Sequence, residues 1–322
     1  MKKIGVLTSG GDAPGMNACV RAVVRCATAR EIEVVGIRRG YRGLIDGDMI
    51  PLGPRSVAHI LEHGGTFLES SRCEEMKTPE GLQIAVDKLN EEGIEGLVAI
   101  GGDGTFHGAA ALAKAGGIKV VGAPGTIDND VFGTDYTIGF DTAVNTAVES
   151  IDKIRDTAES HDRLFFVEVM GRNRGFIALA VGIAGGADEI LVPEHNTDLQ
   201  ILADSLKKHF EVGKRSSLVV VAEGDAPGGA QAIADKVGWL VGKDYRVVSL
   251  GHVQRGGSPT ANDRILASEL GAAAVTALDG RGGGCMVGKI GSEITHTPLE
   301  DTWTKHKELD TRMLKMLQIL AL

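Results

Sequence analysis

The chain is poor in aromatic residues, 4% in all with two tryptophans and three tyrosines, so a large core has to be built from aliphatic side chains. Proline is also scarce, nine in 322 residues, and no Gly-X-Y period accompanies the 45 glycines, which excludes a collagen-like fibre and a Pro/Gly-rich disordered chain. Four cysteines, Cys19, Cys26, Cys73 and Cys285, form no CxxC pair and lie at no ligand spacing from a histidine; they read as ordinary reduced thiols rather than a disulfide framework or a zinc site. No apolar run reaches the roughly 18 residues of a membrane span. Met1-Lys2-Lys3 leads straight into a strand-like segment with no h-region, so a soluble cytoplasmic protein is expected. There is no lysine-rich run, and the net charge is −9, from 43 acidic against 34 basic residues, which argues against a nucleic-acid surface. An anionic small ligand remains open, because 18 of the 34 basic residues are arginines, the side chain suited to bidentate phosphate contacts. Seven asparagines and five glutamines are few for this length, a weak pointer to a thermophilic source.

What is present is a repeated strand and helix pattern. Short apolar runs begin at Ile4, Val34, Leu97, Val120, Leu164, Ile190, Leu218 and Val247, and helix-period segments lie between most of them. In one such segment Val144, Ala147, Val148, Ile151 and Ile154 follow the spacing of an amphipathic helix, with Glu149, Asp152, Lys153 and Asp156 outward. Continuous apolar strands alternating with helices predict an α/β protein of two doubly wound (Rossmann-like) domains, each a three-layer α/β/α body with a mainly parallel sheet. About four strands fall on each side of residue 140. The expected division is 1–138 plus about 253–305 for one domain and 139–252 plus about 306–322 for the other.

In such sheets ligands sit beyond the carboxyl ends of the strands. The first strand runs into Gly10-Gly11-Asp12-Ala13-Pro14-Gly15-Met16-Asn17, which is neither GxGxxG nor a Walker A loop; it can hold an anion on backbone N–H groups or simply turn the chain. After Leu97–Ile100 comes Gly101-Gly102-Asp103-Gly104-Thr105 at the start of a helix, where glycines let a polyphosphate approach and Asp103 is a candidate Mg²⁺ ligand. After Val120–Gly122 comes Pro124-Gly125-Thr126-Ile127-Asp128-Asn129-Asp130, whose paired carboxylates suit a general base or a metal site. Arginines gather at strand ends in the second half, Arg163, Arg172, Arg246 and Arg255, beside Glu223 and His252, a set able to bind a sugar phosphate.

Taken together, KKIGVLTSGGDAPGMN, GGTF (64–67), GGDGT (101–105), PGTIDND (124–130), EVMGR (168–172), GHVQRGGS (251–258) and DRILA (263–267) closely resemble the blocks of the bacterial ATP-dependent 6-phosphofructokinase family, in order and end to end. The resemblance implies transfer of the ATP γ-phosphoryl group to the 1-hydroxyl of fructose 6-phosphate, with Mg²⁺ as cofactor. It assigns Gly11, Arg72, Cys73 and the loop Gly102, Asp103, Gly104 and Thr105 to ATP, with Asp103 on the metal. Asp128 would be the base, Thr126 and Asp130 would orient substrate and metal, and Arg172 would stabilise the transferring phosphoryl group. Ile127, Met170, Gly171, Glu223, His252, Val253, Gln254 and Arg255 would bind the sugar phosphate, with Arg163 and Arg246 supplied by a neighbouring subunit of a homotetramer. Pyrophosphate-dependent relatives tend to carry Asp where this chain has Gly104 and Lys where it has Gly125, so glycine at both favours ATP. Other kinases with a GGDG loop, such as NAD or lipid kinases, lack PGTIDND and its arginine set, and a non-catalytic nucleotide sensor has no need of Asp128.

The family's second site, where ADP or GDP activates and phosphoenolpyruvate inhibits, is matched by Arg21, Arg25, Arg155, Gly186, Lys214 and Arg215. Departures cluster there: Arg55 for a tyrosine, His59 for an aspartate, Val212 for a lysine and Asp188 for a glutamate. Phe176 stands where many relatives place an aspartate.

Overall fold

The computed structural model describes residues 1–160, 163–280 and 282–320. In chain order it runs β1 (Lys3–Thr8), α1 (Met16–Thr28), β2 (Glu33–Ile37), α2 (Tyr41–Asp46), β3 (Met49–Leu52), α3 (Pro79–Glu91), β4 (Gly96–Gly101), α4 (Asp103–Gly116) and β5 (Lys119–Pro124). Then follow α5 (Phe140–Glu159), β6 (Leu164–Val169), α6 (Phe176–Ala184), β7 (Glu189–Leu191), α7 (Leu199–Glu211), β8 (Ser217–Ala222), α8 (Gly229–Val241) and β9 (Tyr245–Ser249). A 3₁₀ turn at Gly251–Arg255 leads to α9 (Ala261–Gly280), β10 (Cys285–Ile290), β11 (Glu293–Pro298), α10 (Asp301–Thr304) and α11 (Arg312–Leu320).

The chain divides into two compact units. One comprises Met1–Ile127, Val131–Thr142 and Arg255–Lys307; the other comprises Asp128–Asp130, Ala143–Gln254 and Glu308–Leu322. The short segment Asp128–Asp130, which the expected division places in the domain of residues 1–138, clusters with the second unit, and the crossing falls after Thr142, within the first turn of α5.

In the first unit a seven-stranded sheet has the order β11-β10-β5-β4-β1-β2-β3. Its centre is parallel, with Leu7 opposite Ile37 on β2 and Ala99 on β4. Both ends are antiparallel, β2 with β3 and β10 with β11. β3, β10 and β11 are absent from the sequence reading: the edge strand β3 carries Pro51, the edge strand β11 alternates polar and apolar residues, and β10 beside it is only a short apolar run. Leu7, Ile37, Leu97 and Ala99 turn one sheet face toward Phe106 and Leu112 of α4 and Leu89 of α3, an aliphatic core with few rings. Elsewhere in this unit α1 and α9 pack together closely, since a Cβ on Gly271 would lie 2.7 Å from the Cys19 carbonyl. Burial there pushes the Cys19 thiol up to about 12.

Asp263 of α9 explains the DRILA block. Its buried carboxylate accepts from the N–H groups of Gly139 and Thr142, each at 2.8 Å, and from the Thr142 hydroxyl, so it caps α5 from outside. Desolvation pushes its pKa up despite those bonds.

The second unit has a four-stranded, all-parallel sheet in the order β7-β8-β6-β9. Phe166, Leu164, Val219 and Val221 pack on Leu202, Leu206, Ile233 and Val237 of α7 and α8. Ala147 and Ile151 of α5 are fully buried, as their spacing predicts.

Candidate active site

Strand order reverses beside β1, with β2 on one flank and β4 on the other, and the two glycine loops leave the carboxyl ends of β1 and β4 at this switch point. Gly102 caps α4, so the positive end of the helix dipole faces the loop, while Thr105 N–H donates to the Gly102 carbonyl at 2.9 Å. Thr105 is buried and donates to the Ser9 carbonyl at 3.1 Å, tying the second loop to the first. Its own carbonyl accepts from the Tyr41 hydroxyl at 2.5 Å, and the Tyr41 ring lies under Gly108, where a Cβ would come within 2.7 Å. Burial pushes the Tyr41 phenol far above its ordinary range, so it stays a hydrogen-bond donor. Tyr41 carries no motif signal, and sequence reasoning missed it. Asp103 and Gly104 are exposed, and a Cβ on Gly104 would meet no protein atom within 4 Å. Gly125 differs: its Cβ would lie 2.9 Å from Met16 Cε, the movable end of a side chain, and 3.2 Å from Ile100, so the space there is filled by protein.

Arg255 lies against the first loop, its Nη1 3.1 Å from where a Cβ of Gly11 would be. Gly64 and Gly257 touch backbone to backbone, since a Cβ on Gly64 would stand 2.3 Å from the Gly257 carbonyl. Buried Asn17 binds the same GGTF segment, accepting from Phe67 N–H at 2.6 Å and donating to the His63 and Gly64 carbonyls. That segment is therefore scaffold. Arg72 is exposed, and Cys73 packs partly buried against the first core, 3.8 Å from Glu75.

In the second unit, Arg172 Nε lies 3.3 Å from Asp128 Oδ2, the carboxylate buried and the guanidinium largely exposed. The loop backbones are unusual. Asn129 and Arg172 have φ of 53° and 52°, the left-handed region that non-glycine residues rarely enter, and such strain collects at functional sites. What holds the Arg172 turn is Glu223, whose Oε1 accepts from the N–H groups of Gly171 at 3.3 Å and Arg172 at 2.7 Å. Gln254, fully buried, accepts from Met170 N–H at 2.9 Å. Glu223 and Gln254, assigned above to substrate, thus also build the turn that presents Arg172. Glu168, passed over in the sequence, accepts from Ala230 N–H and the Ser249 hydroxyl, each at 2.8 Å, and so links β6 to α8 and β9. His252, Val253 and Arg246 are exposed at strand ends, and Arg163 and Asp130 are half-buried. Thr126 and Ile127 remain with the first unit.

The effector candidates divide. Arg21 and Arg25 belong to the first unit; Arg155, Gly186, Asp188, Lys214 and Arg215 belong to the second. Arg155 donates to the Gly185 and Gly186 carbonyls at 2.5 and 2.7 Å. Asp188, buried, pairs with Lys214 and accepts from Leu218 N–H at 2.7 Å. Phe176 opens α6 as a buried apolar residue, a packing role that an aspartate could not take.

Glycine loops at a switch point, a carboxylate at a helix N-terminus, and a buried carboxylate beside an exposed guanidinium define a phosphoryl-transfer enzyme of the doubly wound α/β class. The phosphofructokinase family model matches residues 3–278, and the chain belongs to that family. It is 59% identical to ATP-dependent 6-phosphofructokinase 1 of Thermus thermophilus and 51% identical to ATP-dependent 6-phosphofructokinase of Halothermothrix orenii, over the full length of both partners in each case. Among solved structures, phosphofructokinase from Saccharomyces cerevisiae matches with TM-score 0.89 and 37% identity, covering 100% of this chain and 48% of that one. A pyrophosphate-dependent phosphofructokinase from Marinobacter aquaeolei shares the fold, with TM-score 0.85 at 22% identity, over 98% of this chain and 91% of that one.

Proposed function

We propose that this chain is an ATP-dependent 6-phosphofructokinase, transferring the γ-phosphoryl group of ATP to the 1-hydroxyl of fructose 6-phosphate and releasing ADP and fructose 1,6-bisphosphate. The observation that carries the reading is the Asp128–Arg172 pair: a base for a hydroxyl proton held beside a cation for a phosphoryl group. Full-length identity of 59% to a relative named for the same reaction supports it.

In this reading Gly11, Arg72, Cys73 and Gly102–Thr105 bind ATP, the phosphates lying on the N-terminus of α4. Thr126, Ile127 and Asp130 position the acceptor. Asp128 takes the 1-hydroxyl proton as its oxygen bonds to the γ-phosphorus; the bridging oxygen leaves with ADP, and Arg172 offsets the charge on the group in flight. Met170, Gly171 and Glu223 shape the sugar site. His252, Val253, Gln254 and Arg255 bind fructose 6-phosphate, with Arg163 and Arg246 from a neighbouring subunit of a homotetramer.

The donor set fits Mg²⁺. Among the described residues no cluster of three or more His, Cys, Asp or Glu could hold a metal, and Asp103 is a single exposed carboxylate at a helix N-terminus. Mg²⁺ commonly takes one or two carboxylates and fills its shell with phosphate oxygens and water. When bound at Asp103 it would neutralise charge on the ATP phosphates.

ADP or GDP and phosphoenolpyruvate are the proposed effectors, at Arg21, Arg25, Arg155, Gly186, Asp188, Lys214 and Arg215. Among the described residues no helix is long and apolar enough to cross a membrane, which is compatible with the cytoplasmic location proposed here. The test is a coupled assay of fructose 1,6-bisphosphate formation, run with ATP and then with pyrophosphate; activity with ATP alone supports the reading, and comparable rates with both reject the choice of donor.

A further inference from the structure

We infer that Glu168 is a positioning residue for the sugar phosphate: its carboxylate fixes the end of β9, and with it the segment that carries His252. The inference rests on the proposed assignment of His252, Val253 and Gln254 to fructose 6-phosphate. Glu168 interrupts an otherwise apolar strand, Leu164-Phe165-Phe166-Val167-Glu168-Val169. A carboxylate in such a place is costly unless its oxygens find donors. Both find one: Oε1 accepts from the Ser249 hydroxyl and Oε2 from the Ala230 N–H, each at 2.8 Å.

What these bonds hold is the least buried strand of the second sheet. β9 lies at the sheet edge, paired with β6, and its residues are half-buried or exposed, whereas β8 is buried throughout. In the parallel register Glu168 stands opposite Ser249, the last residue of β9, and the Glu168 carbonyl accepts from Leu250 N–H at 3.0 Å. Glu168 therefore grips the strand end through side chain and backbone together. The other oxygen is fixed by α8: Ala230 N–H is one of the donors that a helix start leaves free, and the N-cap Gly228 has no side chain to take it. Gly229 makes the room, since a Cβ on it would stand 2.2 Å from Oε2.

The consequence lies one residue further on. Gly251 has φ of 54°, so the chain turns sharply straight after the Leu250 bond and enters the 3₁₀ turn. Gln254, three residues later, accepts from Met170 N–H at 2.9 Å, and Met170 lies two residues past Glu168. The segment is thus pinned to the end of β6 on both sides, and His252 and Val253, both exposed, sit between the pins. Removing the Glu168–Ser249 link frees one pin and leaves the other. Binding of the sugar phosphate should then weaken, while Arg172 keeps its own support on Glu223.

The test is steady-state kinetics, with thermal melts, on the full-length protein with ATP and fructose 6-phosphate. Ser249→Ala, at an exposed position, removes the β9 link and leaves α8 capped. It should raise KM for fructose 6-phosphate roughly three- to tenfold, the reach of one hydrogen bond. In that variant kcat and KM for ATP should stay near the parent values. Glu168→Ala should do the same, and Glu168→Gln should restore most of the affinity, because its amide can accept from Ala230 and donate to the Ser249 oxygen. If Glu168→Ala does not fold, Ser249→Ala decides alone. His252→Ala tests the premise and should itself raise KM for fructose 6-phosphate; adding Ser249→Ala to it should cost little more, since the two act on one contact. If His252→Ala raises that KM while Ser249→Ala leaves it at the parent value, or if the two effects multiply in full, the inference is overturned and the substrate assignment stands. A lower melting temperature with KM unchanged would reduce Glu168 to scaffold. If His252→Ala changes nothing, the premise falls and takes the inference with it.

Discussion

Arg172 Nε stands 3.3 Å from Asp128 Oδ2, and the two side chains differ sharply in exposure, 63% for the arginine and 5% for the aspartate. The carboxylate is shielded and held at one edge by a guanidinium whose remaining donors face outward. That asymmetry suits a base that must keep its geometry beside a cation that must reach a phosphoryl group. Arg172→Ala should lower kcat by roughly 10²- to 10³-fold, the usual effect of removing one transition-state donor. Arg172→Lys should recover little, since a point charge cannot serve the carboxylate and the phosphoryl group as a planar fork does. Steady-state kinetics of the two variants check this; a lysine variant at parent turnover contradicts it.

Gly104 and Gly125 separate donor selection from packing. Because nothing surrounds a Cβ at Gly104, Gly104→Asp should fold with an unchanged thermal midpoint and yet lose ATP affinity by at least roughly tenfold, through crowding and like charge beside the phosphates. Gly125→Lys should instead unfold at lower temperature, because Met16 and Ile100 occupy the space it needs. Thermal melts with ATP saturation curves decide between these outcomes. Equal melting for both variants would mean that the packing around Gly125 yields freely.

Tyr41 anchors the loop proposed to bind ATP through one buried hydrogen bond to the Thr105 carbonyl. Tyr41→Phe keeps the ring under Gly108 and removes only the donor, which leaves a buried acceptor unpaired at a cost of about 1–3 kcal/mol. The thermal midpoint should fall by a few degrees and KM for ATP should rise, with KM for fructose 6-phosphate unchanged. An effect on both KM values would assign Tyr41 a wider role than holding this loop.

The proposed effector site predicts weak inhibition by phosphoenolpyruvate. Val212 and His59 are exposed where the family resemblance leads one to expect a lysine and an aspartate, and Asp188 engages Lys214, a cation the proposed effector would need. Initial rates with and without the effector test this, and strong inhibition at low concentration would show that these departures do not matter.

The sequence carried the parallel strands, because their burial on both faces leaves unbroken apolar runs such as Leu97–Ile100. It did not carry the edge strands β3 and β11, which are polar and mixed, nor β10 beside β11, a short run that ends in Gly288-Lys289. The glycines and carboxylates of the proposed site stood out in the sequence as motifs at strand ends, because phosphate chemistry restricts residue type. Tyr41 did not, since its role depends on the Thr105 carbonyl that the fold sets beside its hydroxyl. Asp263 was visible as a motif member, but its role as the cap of α5 needed the three-dimensional arrangement.

The most direct measurement is the kinetics of Asp128→Ala with ATP and fructose 6-phosphate, read as separate kcat and KM values. Loss of the base should lower kcat by at least roughly 10²- to 10⁴-fold while KM for fructose 6-phosphate stays within a few-fold of the parent. Turnover near the parent value would contradict the assignment of Asp128 as the residue that takes the proton.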